Sequence, residues 1–283
     1  MLTLTRDTKR LTIIVIYIFL FLAIGTGGYF LFHAAPTCMD GKQNQDETGI
    51  DCGGICAMAC METVIGEPIV IREVMVLPVE NGVYDVVARI YNPNNTVGAE
   101  SFVYTIRLTD GTGNEVASVS NSSWILPQET KTLLAFSLPV MSRPTKATLE
   151  ITEAKWERLT NYDGKPKLGV YNKRYEPGKR PGEFGGIVMG LVTNESGYDF
   201  RLVTIKVILR DEQGEPLAIN QTDRRTFLVG EQHEFRLTWP MSFVGQVATV
   251  ETEIDADVYH SDNFLRRYLP GERSQELVPS RGY

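Results

Sequence analysis

Residues 102–108 read Phe102-Val103-Tyr104-Thr105-Ile106-Arg107-Leu108, and some hundred residues later the chain reads Val203-Thr204-Ile205-Lys206-Val207-Ile208-Leu209. Large apolar side chains recur at every second position in both stretches, which predicts strands with one face in a core and one face wet. Tyr84, Val86, Ala88 and Ile90 alternate in the same way with Asp85, Val87 and Arg89. Turn signals separate these runs: Glu80-Asn-Gly82, Asn92-Pro-Asn-Asn95, Asp110-Gly-Thr-Gly113 and Gly230-Glu231. Beyond residue 32 no helical stripe of useful length interrupts them. Short strands at this density, roughly seven per hundred residues, predict two-sheet antiparallel sandwiches of immunoglobulin-like form.

The two stretches belong to a longer correspondence. Phe102, Tyr104, Ile106 and Leu108 map onto Val203, Ile205, Val207 and Leu209; Asp110-Gly-Thr-Gly113 maps onto Asp211-Glu-Gln-Gly214; Ala147-Thr-Leu-Glu150 maps onto Ala248-Thr-Val-Glu251. Leu134, Phe136 and Leu138 are matched with Phe235, Leu237 and Trp239, and Ala88-Arg-Ile-Tyr-Asn92 with Gly190-Leu-Val-Thr-Asn194 after a one-residue gap. Two tandem copies of one sandwich are expected, at 63–158 and 159–260. With no cysteine after Cys60, packing alone must hold them, and Trp124, Phe136, Phe235 and Trp239 are the expected large core residues.

Each copy resembles the FxLyD-type family of bacterial sandwich domains. The shared features are G/A-x-V/I-x-N, a strand ending Leu-x-Asp-x-x-Gly (Leu108 to Gly113 and Leu209 to Gly214), and a late Pro/Gly-Glu turn before a Phe-bearing strand. That resemblance implies extracytoplasmic interaction work and brings no catalytic residues.

Ahead of the sandwiches, residues 11–32, LTIIVIYIFLFLAIGTGGYFLF, hold no charge. A helix of that length reaches about 33 Å, enough to cross a hydrocarbon core. Of the net charge of −7, residues 1–32 contribute +2 (Arg6, Lys9 and Arg10 against Asp7), leaving −9 for the remainder. Cations crowd the N-terminal flank, so the positive-inside rule predicts a cytoplasmic head at 1–10 and an extracytoplasmic bulk in a single-pass cell-membrane protein. The apolar run is longer than a cleaved signal peptide needs, so it is read as an uncleaved anchor. The acidic remainder argues against nucleic acid, whose phosphates require basic surfaces.

All four cysteines, Cys38, Cys52, Cys56 and Cys60, fall within residues 33–62. So short and polar a segment cannot bury a core, and outside the cytoplasm two disulfides are the expected staples, in any of three pairings. Zinc is the rival, but the spacing lacks paired C-x-x-C motifs. Asp40, Asn44, Asp46 and Asp51 supply hard oxygens suited to calcium. The EF-hand template is broken by Lys42 and Gln45, so a solvated acidic loop is the first reading, calcium the alternative, and no other cofactor is expected. The module is similar to a C-x-D-G-x-x-N-x-x-E-T-G-x-D-C-G-G-x-C-x-x-x-C element recurring in bacterial and archaeal surface proteins. It implies an envelope setting, not an activity.

A basic, aromatic insert opens the second copy, with Lys165, Lys167, Lys173, Arg174, Lys179 and Arg180 beside Tyr162, Tyr171 and Tyr175. It reads as a first strand plus an insertion loop, with Tyr171, Arg174 and Tyr175 as candidate partner-contact residues. A tail at 261–283 is expected to be mobile unless Asn263 to Leu269 form a helical turn that docks on the second copy. Glu251, Glu253, Asp255 and Asp257 lie on alternate positions and read as a solvated acidic stripe. His33, His233 and His260 lack a nucleophile motif or metal spacing, so no catalytic residues are expected. The sequence predicts an anchored, non-catalytic interaction or scaffolding protein with an envelope protein as partner. The alternative is a surface receptor or adhesin for saccharide or peptide.

Overall fold

The computed structural model describes residues 6–32, 38–44, 46–56, 60, 64–80, 82–178 and 185–269. The chain divides into two compact units, Met1–Thr63 and Val64–Tyr283.

The first unit opens with α1 (Arg6–Phe32), whose segment Arg6–Tyr29 is long and apolar enough to cross a membrane. Its cysteine module is closed by Cys38–Cys56 and Cys52–Cys60. Gly53 and Gly54 have φ of +72° and +58°, and a Cβ there would lie 1.7 Å from Thr48 Oγ1 and from the Asp46 carbonyl respectively. Only glycine fits this tight winding beside the sulfurs.

The second unit is almost wholly β. It runs β1 (Val70–Glu80), β2 (Val83–Tyr91), β3 (Val97–Asp110), β4 (Glu115–Ile125), β5 (Thr130–Pro139), β6 (Pro144–Arg158), β7 (Leu168–Pro177), β8 (Gly186–Asn194), β9 (Phe200–Arg210), β10 (Pro216–Phe227), β11 (Gln232–Trp239) and β12 (Thr249–Ala256). These pair antiparallel into four three-stranded sheets, β1-β2-β5, β4-β3-β6, β11-β8-β7 and β10-β9-β12. The second pair of sheets repeats the pairing order of the first with each strand number raised by six. Among the described residues each half therefore has six strands where about seven were expected.

Inward-facing residues of the first two sheets (Val86, Ala88, Ile90, Phe102, Ile106, Leu108, Leu133) form one core. Val188, Val192, Val203, Ile205, Val207, Phe235, Leu237 and Trp239 form the other. The tail residues Phe264, Leu265 and Tyr268 are buried in that second core. They sit on α2 (Asp262–Tyr268), so the last described segment docks, and the second half extends past residue 260. Residues 270–283 lie outside the described residues.

The recurring Asn and Asp residues of the two halves are structural fasteners. Buried Asn92 donates through Nδ2 to the carbonyls of Val97 and Leu126 at 2.8 and 2.9 Å. Asn194 donates to those of Tyr198 and Leu228 at 2.8 and 3.0 Å. Each ties two neighbouring loops together, and the Leu126 and Leu228 carbonyls also accept the backbone N–H of Glu129 and Glu231. Asp110 Oδ1 accepts from the backbone N–H of Thr112 and Asn114, and Asp211 Oδ1 from those of Gln213 and Glu215, closing equivalent hairpin turns.

Phe136 departs from expectation: it is 37% exposed rather than in the core. The register explains it. Ala88 pairs with Leu133 and Val86 with Ala135, but Tyr84 pairs with Leu138, so Phe136 and Ser137 stand together opposite Asp85. This is a β-bulge, and Ser137 takes the left-handed φ of 53°. Alternation read straight through Leu134, Phe136 and Leu138 crosses an inserted residue. By register, Leu133 and Ala135, not Leu134 and Phe136, stand where Phe235 and Leu237 stand against Gly190 and Val188.

Asp85 pins the bulge by accepting the Ser137 N–H at 2.7 Å. Burial pushes its carboxyl above the ordinary value, against the lowering effect of that bond. A raised carboxylate pKa means stability falls as pH rises from the ordinary value through the folded one. Asn keeps the acceptor oxygen without the charge. Asp85→Asn is therefore expected to raise Tm near neutrality and give no gain below about pH 4. Thermal melts at the two pH values check this; an equal shift at both contradicts it.

Candidate functional site

The most elaborate polar arrangement lies where the two sandwiches meet. The face of β1-β2-β5 turned away from its own core contributes Leu77, Val87 and Leu134, which pack with Ile208 and Ile219 of the second sandwich into a separate apolar cluster. Around it runs a set of opposed charges, three of whose acids come from β12.

Glu251 joins Arg89 of β2 (2.6 Å) to Arg210 of β9 (2.5 Å). Glu253 accepts the backbone N–H of Thr132 at 2.9 and 3.2 Å, while Lys206 Nζ donates to the Thr132 carbonyl at 2.5 Å. Among the described residues, strand β5 has β2 on one side only. Two side chains of the second sandwich thus satisfy an edge backbone that would otherwise invite another strand. Asp255 receives Lys206 Nζ on Oδ2 at 2.6 Å and Lys131 Nζ beside Oδ1 at 3.1 Å. Lys131 is fully buried, and its Nζ sits 3.2 Å from the centroid of the Trp124 ring. Trp124 in turn meets Tyr259 edge-on, at 6.0 Å between centroids.

The charge states follow from burial set against neighbours. Burial depresses the Lys131 ammonium more than Asp255 and Glu129 restore it, so its pKa lies below the usual lysine range. Burial works against Lys206 too, but Asp255 and Glu253 outweigh it and hold its pKa above that range. Burial raises the Asp255 carboxyl, and Lys131, Lys206 and Lys165 overcome this to hold it well below the carboxylate range.

The alternating acids of β12 are therefore not a solvated stripe. Glu251, Glu253 and Asp255 face cations of both sandwiches, and Asp257 pairs with His260 at 2.7 Å. Sequence reasoning missed Lys131, Lys206, Arg89 and Trp124 as partners. The available signal was Lys206, a cation inside an apolar run, matched by a second run of acids at the same spacing.

The candidate partner residues on β7 are split. Tyr171 and Arg174 pair across the strand with Leu191 and Met189, whereas Tyr175 pairs with Val188 and packs on the second core. A register shift between Tyr171 and Arg174 separates them, with Asn172 at a φ of 53°. Tyr171 hydroxyl bonds Glu195, Arg174 lies 3.2 Å from Glu176, and Tyr175 donates to the Gly185 carbonyl at 2.9 Å. Tyr171 and Arg174 remain exposed. Lys179 and Arg180 lie outside the described residues, as does His33.

In the cysteine module the four proposed calcium residues mostly bond one another and the loop. Asp51 accepts the backbone N–H of Asp40 and Gly41 at 2.8 and 2.9 Å. Asp40 accepts Asn44 Nδ2 at 2.8 Å, and Asp46 sits exposed in a turn. Glu47 stands beside Cys38 and Cys56, but those sulfurs are joined in a disulfide and offer no thiolate to a metal.

No family model and no curated protein matches the chain. Among solved structures it is similar to red sea bream transglutaminase, at 10% identity and TM-score 0.20 over 65% of this chain and 29% of that one. It is also similar to Bacteroides uniformis beta-glucuronidase 2 covalently bound to cyclophellitol-6-carboxylate aziridine, at 11% identity and TM-score 0.23 over 62% and 25%. The chain spans less than a third of either structure, and at these scores neither likeness bears on its activity.

Magnitudes separate the parts of the junction. Truncating a buried aliphatic costs about 2–5 kcal/mol, whereas a partly exposed ion pair is worth about 1 kcal/mol or less. Ile208→Ala and Leu134→Ala are accordingly expected to destabilise the second unit several times more than Arg89→Ala in urea denaturation. Similar midpoints for all three would contradict this ranking.

Proposed function

We propose that this is a non-catalytic, single-pass membrane protein of the cell envelope that serves as a scaffold for another envelope component. Its N-terminus is cytoplasmic and its two immunoglobulin-like sandwiches, tandem copies of one FxLyD-type domain, work outside the cytoplasm. The charge asymmetry about the apolar helix supports that orientation. The resemblance of the disulfide-closed module to surface-protein elements supports the compartment.

The observation that carries the scaffolding reading is the junction of the sandwiches. Its buried surfaces and charges are committed to holding two binding modules in one fixed relation. Tyr171 and Arg174 lie on β7, which ends its sheet and has an unpaired side among the described residues. Edge strands and their loops are common recruitment surfaces.

The test is affinity capture of the full chain from detergent-solubilised membranes, with and without a calcium chelator, read by mass spectrometry. A stable set of envelope proteins should be recovered in both conditions and lost with Tyr171→Ala/Arg174→Glu. Recovery of nothing would sink the scaffolding reading, and loss on chelation would transfer binding to the acidic cysteine module.

A further inference from the structure

Lys131 and Asp255 stand out from the other ion pairs of the junction. Lys131 Nζ and Asp255 Oδ1 lie 3.1 Å apart, yet among the described residues neither atom has a hydrogen-bond partner of proper geometry. A fully buried ammonium without hydrogen bonds is costly, and so is an unbonded carboxylate oxygen. The pair is sealed by Trp124 over the nitrogen. On the other side Lys206 grips Asp255 Oδ2 at 2.6 Å.

We propose that Lys131 Nζ and Asp255 Cγ condense into an intramolecular amide that ties β5 of the first sandwich to β12 of the second. The arrangement supplies each part of the reaction. A lysine becomes a nucleophile when burial favours its neutral amine, and Lys131 is the lysine of the junction so affected. Lys206 stays cationic and is placed to stabilise negative charge developing on Oδ2. Holding amine and carboxyl in contact within one folded chain replaces a bimolecular encounter.

The atoms balance without an external reagent. One proton passes from Nζ to Oδ1, an uphill transfer because the neighbouring lysines favour the Asp255 carboxylate, leaving a neutral amine beside a neutral carboxyl group. The Nζ lone pair attacks Cγ, the C–N bond forms, and the carbonyl electrons move onto Oδ2 against Lys206. A second proton passes from Nζ to Oδ1. The Cγ–Oδ1 bond breaks, water leaves with both protons, and the carbonyl re-forms. The amide keeps one N–H, and its oxygen still accepts from Lys206. Nothing is oxidised or reduced; the unbonded Oδ1 leaves as water, and the unbonded ammonium becomes a neutral amide nitrogen.

Intact-mass spectrometry of the purified, reduced and denatured full chain tests this directly. The expected mass is that of the sequence less one water, with a proteolytic digest yielding a branched peptide joining Lys131 to Asp255. Lys131→Arg and Asp255→Ala should each restore the full sequence mass, and Lys206→Gln should slow or abolish the loss. The proposal is overturned by a full sequence mass in folded wild-type protein. It is equally overturned if the lost water maps to an Asp-Gly step (Asp40–Gly41, Asp110–Gly111 or Asp163–Gly164), where cyclisation onto the backbone gives the same mass change. The wild-type measurement decides the matter even if a variant fails to fold.

Discussion

The structure depends on one packing decision: the outer face of β1-β2-β5 is covered by the second sandwich instead of by water. In an isolated antiparallel sandwich that face is polar, and the alternation of Asp85, Val87 and Arg89 is a compromise between the two conditions. Val87 and Leu134 are buried against Ile208 and Ile219. Asp85 and Arg89 are kept only because each has a partner, the Ser137 N–H and the Glu251 carboxylate. The hydrophobic contribution resides in the small apolar cluster. The charges around it chiefly fix the register of one sheet on the other, since misplacing any of them leaves a desolvated ion unpaired.

The same constraint accounts for the odd features of β5. As an edge strand it needs its free backbone groups satisfied, and Glu253 and Lys206 do this at Thr132. Four residues further along it bulges at Phe136 and Ser137, which turns Phe136 toward a pocket of about 170 Å³ also lined by Leu77, Trp239, Met241 and Phe243. One end of the strand is thus fixed by ions, while its other end is bent by an inserted residue.

Much of the architecture was legible in the sequence. Period-two alternation identified the strands, the offset between Phe102–Leu108 and Val203–Leu209 anticipated the matching pairing order, and the charge-free run anticipated a long apolar helix. What was illegible depended on two-versus-one pairing and on contacts between distant segments. A bulge leaves no mark in hydrophobic periodicity, so Phe136 was assigned inward when its neighbour Ala135 holds that place. The acids of β12 have the pattern of a wet face, and only the cations of β2, β5 and β9 opposite reveal a dry one. The seven residues of α2 are too few to establish a helical period, although Phe264, Leu265 and Tyr268 bury as one face. Disulfide pairing was equally closed to sequence, because the three connectivities differ only in the path of the loop.

The two sandwiches form one compact unit. A spin label on the exposed outer face of β4 and another on β11, in the full chain in detergent, would report the distance between them by pulsed electron resonance. A single narrow distribution, unchanged by molar salt, is expected, because the junction is held by buried contacts that salt screens weakly. A broad distribution, or one that widens as salt is added, would show two independently moving sandwiches and contradict it.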